Sequence, residues 1–397
     1  MGPYLSVLNP SGAEPIPDTP LLNDRKDQVF AFVPGKTYRL RIVAMTAIAM
    51  FNVWIDGHQM TVVEADGIDV EPYNVTSLSV ASAQRYSVLV TALNSTEFNY
   101  KLNAAFDLQM FDNPPASLDP LVTATLQYKQ GAPMFAPTSM VDFESFDDTE
   151  LIPLIPLAAV KPDVSIEFAA SFGVYNDGLN HGTFNQIVYR FPKVIPLLTA
   201  VTTGQDASKD VTYGPSTNTK VLALNNWVQI VVRNQDPTSH PFHLHGHVFQ
   251  VISRGLMPFD ENALPPAKAN PVRRDTVVVP GVGYVILRFK ADNPGVWLFH
   301  CHVEWHMSAG LVAQFVTAPA EIQNSIVIPQ IITDQCKDQG IPTSGNAAGL
   351  TGQDFTGIAG VLTPFPDTFT TNGVVALLGT IASALVGLVA VVWFSRS

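Results

Sequence analysis

Seven of the nine histidines and one of the two cysteines in this 397-residue chain fall in two short runs. The first is His240-Pro241-Phe242-His243-Leu244-His245-Gly246-His247. The second is His300-Cys301-His302-Val303-Glu304-Trp305-His306. Imidazole and thiolate are borderline and soft ligands, and a thiolate with two imidazoles makes a trigonal blue-copper site. Cys301 supplies the thiolate. His306 lies five residues on and turns back toward the same ion. The second imidazole comes from elsewhere in the chain, and His240 is the natural candidate. His243 with His245, and His300 with His302, form two H-x-H pairs, four further imidazoles for a second cluster. Structural zinc sites draw on more cysteines, so one cysteine among six histidines points away from zinc.

These side chains must be carried by strands. In an extended run, successive side chains point to opposite faces. Across residues 295–302, Cys301 therefore faces one way and His300 and His302 the other. One strand can serve two metal centres and join them through a few covalent bonds. Other strand-like runs are residues 37–44, 60–63, 85–91 and 121–128, then 221–232, 276–280 and 284–289, separated by turn residues. Residues 304–308 read as one helical turn. No long amphipathic helix is visible. With 31 prolines, 26 glycines and short β-branched runs, the expected class is all-β, built of sandwiches.

Hydrophobic residues make up 47% of the chain and charged residues 14%, ample for buried cores and unlike a disordered chain. The formal net charge of −12 argues against a nucleic-acid partner, whose affinity rests on Lys and Arg meeting phosphate. Residues 373–394 are uncharged and almost wholly apolar, and 22 helical residues span about 33 Å, enough for one transmembrane helix. Trp393, Phe394 and Arg396 suit an interfacial end with the C-terminus on the cytoplasmic side. A cleaved lipid-anchor signal is the rival reading. Residues 1–130 read as one domain with a truncated N-terminal edge, 131–152 as a Pro-rich acidic linker and 153–320 as a second domain. Residues 321–372 read as a flexible stalk. No signal peptide is visible at the N-terminus. The sequons at Asn74 and Asn94 suit an extracytoplasmic face. Cys336 is left odd, which suggests a partner in another segment or chain.

The two histidine runs, with Met60-Thr61-Val62-Val63-Glu64-Ala65-Asp66-Gly67, Ala83-Gln84-Arg85-Tyr86 and the stretch RFKADNPGVW at 288–297, carry a family resemblance. From about residue 4 to 318 the chain resembles the second and third cupredoxin domains of multicopper oxidases, most of all the membrane-anchored fungal ferroxidases of iron uptake. The resemblance implies that His240, Cys301 and His306 bind type 1 copper, with the non-coordinating Leu311 at the axial position raising the redox potential. It implies that His243 binds type 2 copper, and that His245, His300 and His302 bind type 3 copper. His247 packs behind the ligands, and Met307 packs rather than binds. Glu304 is placed to relay protons to reduced oxygen. Asp236, four residues before His240, and Asp112, in the loop 106–112, match acids of the family's iron site. The family's third acid is expected just before the run 9–17, beyond the start of this chain. Asp147 and Asp148 form an acidic patch suited to passing Fe(III) to an iron permease. His58 and His181 read as structural, and Glu64 and Asp66 as strand-turn hydrogen bonders.

The implied reaction is oxidation of Fe(II) with reduction of O2 to water, by a plasma-membrane glycoprotein whose catalytic domains are extracellular. Reducing O2 takes four electrons and, in this family, a trinuclear cluster of eight histidines as four H-x-H pairs. Two of those pairs are here, and the other two belong to a first domain with no counterpart in this sequence. The chain therefore reads as part of a longer oxidase. The alternatives are a laccase-like phenol oxidase, a one-copper electron-transfer or inactive copper-binding module, and a chain that completes its cluster with a second polypeptide. The family also suggests that Cys336 pairs with the first domain.

Overall fold

The computed structural model describes residues 13–136, 146–260, 266–365 and 371–395. Two β-sandwiches follow each other along the chain. The first pairs a five-stranded sheet with a four-stranded one, all between Val29 and Gln127. The second pairs a six-stranded sheet with a five-stranded one, between Val164 and Thr317. Alternation explains both. In Thr37–Val43 the even positions are half-buried and the odd ones exposed, and the strand pairs with Arg85–Thr91 over its whole length. In the second sandwich Phe168, Phe242, Phe299 and Phe315 are fully buried and interleave between the sheets, with Phe168 and Phe299 stacked at 5.8 Å.

The expected strand 221–232 is two strands. Thr219–Leu222 runs parallel to Val312–Thr317 in the five-stranded sheet, while Trp227–Asn234 lies in the six-stranded sheet. The chain crosses between sheets at residues 223–226, where Asn225 adopts a left-handed φ of 65°. The apolar residues on either side hide this corner from a pattern reading, and the Asn225-Asn226 pair marks it.

Much of the expected stalk is folded onto the second sandwich. Helices Pro319–Ser325 and Gln330–Asp338 come first. Asn346 then ties a knot with its buried side chain. Its Nδ2 donates to the carbonyls of Gly352 (3.0 Å) and Asp354 (2.8 Å), and its Oδ1 accepts from Ala348 N (2.9 Å) and Leu350 N (3.1 Å). Ala347 exchanges backbone bonds with Lys193 and Thr212, and Phe365 N donates to Val174 O at 2.9 Å. A Gly/Ser/Thr composition gives no sign of one side chain satisfying four backbone groups. Cys336 is a free thiol, buried against Val194 and Leu198. The C-terminal helix Thr371–Phe394 contains 22 residues, Gly373–Phe394, long and apolar enough to cross a membrane and not buried by the rest of the protein. Arg396 and linker residues 137–145 lie outside the described residues.

The sandwiches meet through buried charge. Arg274 is fully buried; its Nε donates to Asp66 Oδ2 at 2.9 Å, its Nη2 to Asp66 Oδ1 at 3.1 Å, and its Nη1 to Asp148. Arg254 Nη2 also pairs with Asp147 (2.7 Å) and Asp148 (2.6 Å). Asp148 is thus enclosed between two guanidiniums and presents no acidic patch, contrary to the sequence expectation. Asp66 does more than close a turn, because it spans the joint. Glu64 behaves as expected, accepting from Gly67 N at 2.7 Å and from Ser87.

Candidate metal and substrate site

The strand Gly295–Cys301 pairs antiparallel with His240–Leu244, with Phe242 opposite Cys301 and His243 opposite His300. This register sorts the donor side chains. His240, Phe242 and Cys301 share the face turned to the core, and His243 and His300 share the other. The one-residue alternation expected from sequence is what the structure displays.

On the core face, Cys301 Sγ lies 3.4 Å from His306 Nδ1 and 3.8 Å from His240 Nδ1, and the two nitrogens are 3.1 Å apart. All three residues are buried donors around one point. A trigonal set with bonds of about 2.0–2.3 Å spaces its donors roughly 3.5–3.8 Å apart, so small outward shifts admit one ion. Burial pushes the Cys301 thiol up, but the His306 and His240 rings outweigh this and hold it well below the usual thiol range. Burial lowers His306, but the Cys301 thiolate and a nearby carboxylate raise it well above the usual histidine range.

His306 is placed by the short helix Glu304–Ala309, which ends at Gly310 with a left-handed φ of 112°. A Cβ at Gly310 would meet Val188 Cγ1 at 2.6 Å, so the chain turns here only with glycine. Leu311 follows, fully buried, its backbone N donating to His306 O at 3.0 Å and its O accepting from Cys301 N at 3.2 Å. Gly182, on the neighbouring strand Asn180–Phe184, leaves room for this packing. A Cβ there would lie 2.9 Å from the Phe172 ring and 3.0 Å from Leu311 Cβ. Gly182→Ala is therefore expected to cost about 1–3 kcal/mol of stability by overpacking and to shift the visible absorption of any copper held by this donor set. Thermal unfolding and a visible spectrum check this, and unchanged values in both would refute it.

On the opposite face, the imidazoles of His243, His245, His300 and His302 gather with ring centroids 5.1–5.7 Å apart. His300 Nδ1–H donates to Cys301 O at 2.9 Å, which leaves Nε2 unprotonated and 3.0 Å from His245 Nε2. Two imidazole nitrogens facing each other so closely call for a metal ion or a shared proton between them. Burial, with the neighbouring imidazoles, holds His300 down to about 3. Burial lowers His245 and His302 as well. Lone pairs are thus available for a metal at neutral pH. Glu304 begins the helix that follows, its charge felt at His302. His247 packs against Phe289 and Trp297 rather than joining the cluster. His58, bonded to Asp56 O and Tyr128 OH, and His181, bonded to Ala309 O and Asp177, lie outside both donor sets.

Beside the first donor set lies a cavity of about 360 Å³ whose lining includes Glu14, Asp112, Asp236, His240, His306 and Trp305. His240 Nε2–H donates to Asp236 Oδ1 at 3.2 Å. Burial raises the Asp236 carboxyl, but His240 and Thr238 outweigh it and bring it down to about 2, so it is an anion at any physiological pH. His306 Nε2 bonds to the carboxylate of Glu14. Phe172 stacks on the His240 ring at 5.4 Å and lies tilted against the His306 ring at 4.6 Å. Asp112 and Asp236 line the same cavity. Glu14 was missed, because a third acid was expected beyond the start of this chain. Its neighbours Gly12-Ala13 and Pro15-Ile16-Pro17 carry no periodicity that would announce a site.

Comparison with known proteins places this geometry. Multicopper oxidase family models match residues 4–131 and 190–321. The chain is 40% identical to the iron transport multicopper oxidase fio1 of Schizosaccharomyces pombe, covering 98% of this chain and 64% of that protein. It is 39% identical to the iron transport multicopper oxidase fetC of Epichloe festucae, covering 99% and 65%. It thus spans just under two thirds of the length of these relatives. Among solved structures it superposes on Fet3p, described as a multicopper oxidase that functions in iron import. The TM-score is 0.86 and the identity 36%, over 90% of this chain and 70% of that one. A laccase from Botrytis aclada superposes with a TM-score of 0.65 at 28% identity, over 82% and 59%. Matched along both sandwiches, and sharing its fold with Fet3p, this chain belongs to the multicopper oxidase family.

Proposed function

We propose that this chain is the substrate-binding and electron-accepting part of a ferroxidase, which oxidises Fe(II) to Fe(III) and passes the electrons to O2. One observation carries the reading. Three carboxylates, Glu14, Asp112 and Asp236, line a single cavity, and two of them are bonded to the imidazoles that share a donor set with Cys301. Carboxylates are hard anionic ligands and bind the trivalent ion more strongly than the divalent one, so they favour loss of an electron from iron. A phenol would have no use for three acids.

His240, Cys301 and His306 would hold type 1 copper, with the buried Leu311 bonded through its backbone to Cys301 and His306, and His243, His245, His300 and His302 would supply part of the type 2 and type 3 cluster. Copper, when bound, supplies a one-electron acceptor at the thiolate and the centre at which O2 is reduced. The protein's own part is positional. Glu14 and Asp236 hold iron and at the same time fix the tautomers of His306 and His240. Phe172 shields both rings from water, and Glu304, next to His302, is placed to hand protons toward reduced oxygen. The sandwiches correspond to the second and third cupredoxin domains, with 131–152 as their linker. We assign Gly373–Phe394 as a single plasma-membrane anchor, with the sandwiches outside the cell. Asn74 and Asn94, both exposed, would carry glycans there. The names of the relatives support a place in iron transport, and the partner this reading implies is a membrane permease that takes up Fe(III).

The test compares Fe(II) and phenol oxidation by the full-length copper-loaded protein, with and without Asp236→Ala. Loss of one charged contact of about 1.5–3 kcal/mol lowers kcat/KM for Fe(II) roughly 10- to 100-fold and leaves phenol oxidation much less changed. An Fe(II) rate equal to the parent's would overturn the iron-site assignment.

A further inference from the structure

One ion pair in the joint reaches the histidine cluster. Arg85, from the first sandwich, grips Asp275 of the second with both arms: Nη1 to Oδ1 at 2.6 Å and Nη2 to Oδ2 at 2.7 Å. Arg85 is itself fixed, because its backbone N donates to Asp66 Oδ1 at 2.9 Å and its Nη1 to Ala83 O at 2.9 Å. On the other side, Asp275 Oδ1 accepts from Thr276 Oγ1 at 2.8 Å. His243 Nδ1 lies 2.9 Å from the backbone O of Asp275 and 3.0 Å from Thr276 Oγ1. With the Thr276 hydroxyl proton turned to Asp275, both partners of His243 Nδ1 are acceptors. Nδ1 therefore carries the proton, and Nε2 keeps its lone pair for the cluster.

We propose that the Arg85–Asp275 bridge is a positioning device by which the docked first sandwich sets the tautomer and aim of His243. The bridge is the right kind of contact for this. A planar, bidentate guanidinium–carboxylate pair fixes direction as well as distance. It acts on the backbone segment and the hydroxyl that bond His243. Arg274 and Asp66 next to it hold the two sandwiches together, whereas Arg85 and Asp275 lead to a ligand. The inference rests on reading His243 as a ligand of type 2 copper.

The experiment uses the full-length protein with Arg85→Lys, Arg85→Ala and Asp275→Asn. In the copper-loaded protein, blue absorption at Cys301 should persist at parent intensity. Type 2 copper, followed by its electron paramagnetic resonance signal, should be stripped by chelator about 10- to 100-fold more readily. In the metal-free protein, nitrogen-15 shifts of His243 should move from the single Nδ1–H form to a mixture. Arg85→Lys keeps the charge and loses the fork, so it should show the same changes even where Arg85→Ala fails to fold. Parent-like chelator resistance and a single tautomer in the lysine and asparagine variants would overturn the proposal and leave the bridge a mere clamp between sandwiches. A parent protein without blue copper would instead sink the functional reading, and the metal-free tautomer would still test the bridge.

Discussion

In the proposed ferroxidase, Glu14→Ala is expected to remove most Fe(II) oxidation while the protein keeps its fold and its blue colour. Glu14 does two things at once. Its carboxylate faces the cavity shared with Asp112 and Asp236, and it bonds to Nε2 of His306. On the proposed reading, the substitution removes an iron ligand and the contact that links iron to an electron-accepting imidazole. Each loss is worth about 1.5–3 kcal/mol, so kcat/KM for Fe(II) should fall roughly 100- to 10,000-fold. Glu14→Gln separates the two roles, because the amide oxygen still accepts from His306 but carries no charge. It should preserve the visible spectrum of the parent and still lose a large share of the iron rate. Combining Glu14→Ala with Asp236→Ala should cost less than the sum of the single effects, since both residues act on the same ion. Steady-state Fe(II) and phenol kinetics on the parent, the three single variants and the double variant read this out. A Glu14→Ala enzyme as fast as the parent on Fe(II) would show that the carboxylate only orients His306.

The largest expected effect on stability lies at the joint. Arg274→Met leaves the fully buried carboxylate of Asp66 and the nearly buried one of Asp148 without their shared cation. It also removes the bond from Nη1 to Tyr86 OH at 2.5 Å and the guanidinium over the Tyr86 ring at 4.8 Å. Burial acts against the Arg274 charge, but Asp66, Tyr86 and Asp148 outweigh it and raise its pKa well above the usual arginine value. Breaking a buried pair costs about 3–5 kcal/mol, because the stranded charge has no water to turn to. For a body of this size that is a fall in melting temperature of about 6–20 °C. Adding Asp66→Asn should recover part of it, because the second change removes one of the stranded charges. Calorimetry on the single and double variants decides the matter. A melting point unmoved by Arg274→Met would mean that water reaches the joint.

The strand assignments show how far local pattern carries. Arg85–Thr91 was expected with the bounds it has, and the helical turn after the cysteine strand appears as Glu304–Ala309. Both have sharp local signals: β-branched alternation in one, and a break after the ligand run in the other. From sequence the folded C-terminal segment reads as a stalk, because Gly, Ser and Thr are as common in knotted loops as in loose ones. Only the four bonds of Asn346 distinguish the two, and they depend on its exact neighbours in space. Asp148 was misread for a similar reason. An acidic residue in a Pro-rich stretch has the composition of a solvated linker, and nothing near it in sequence announces Arg254 and Arg274.

The faces on which the donor side chains lie can be read from the sequence alone. Alternation along a strand is a property of the backbone, so the order His-Cys-His was enough to put a thiolate on one face and two imidazoles on the other. The spacing from Cys301 to His306 was enough to bring a second ligand back. The surroundings of those donors come only with the tertiary fold. Glu14 meets His306 across 292 residues, and Arg274 meets Asp66 across 208. Contacts at such separations follow from how two sandwiches dock. Docking is set by burial and charge pairing summed over both bodies, not by any period within a short stretch of chain.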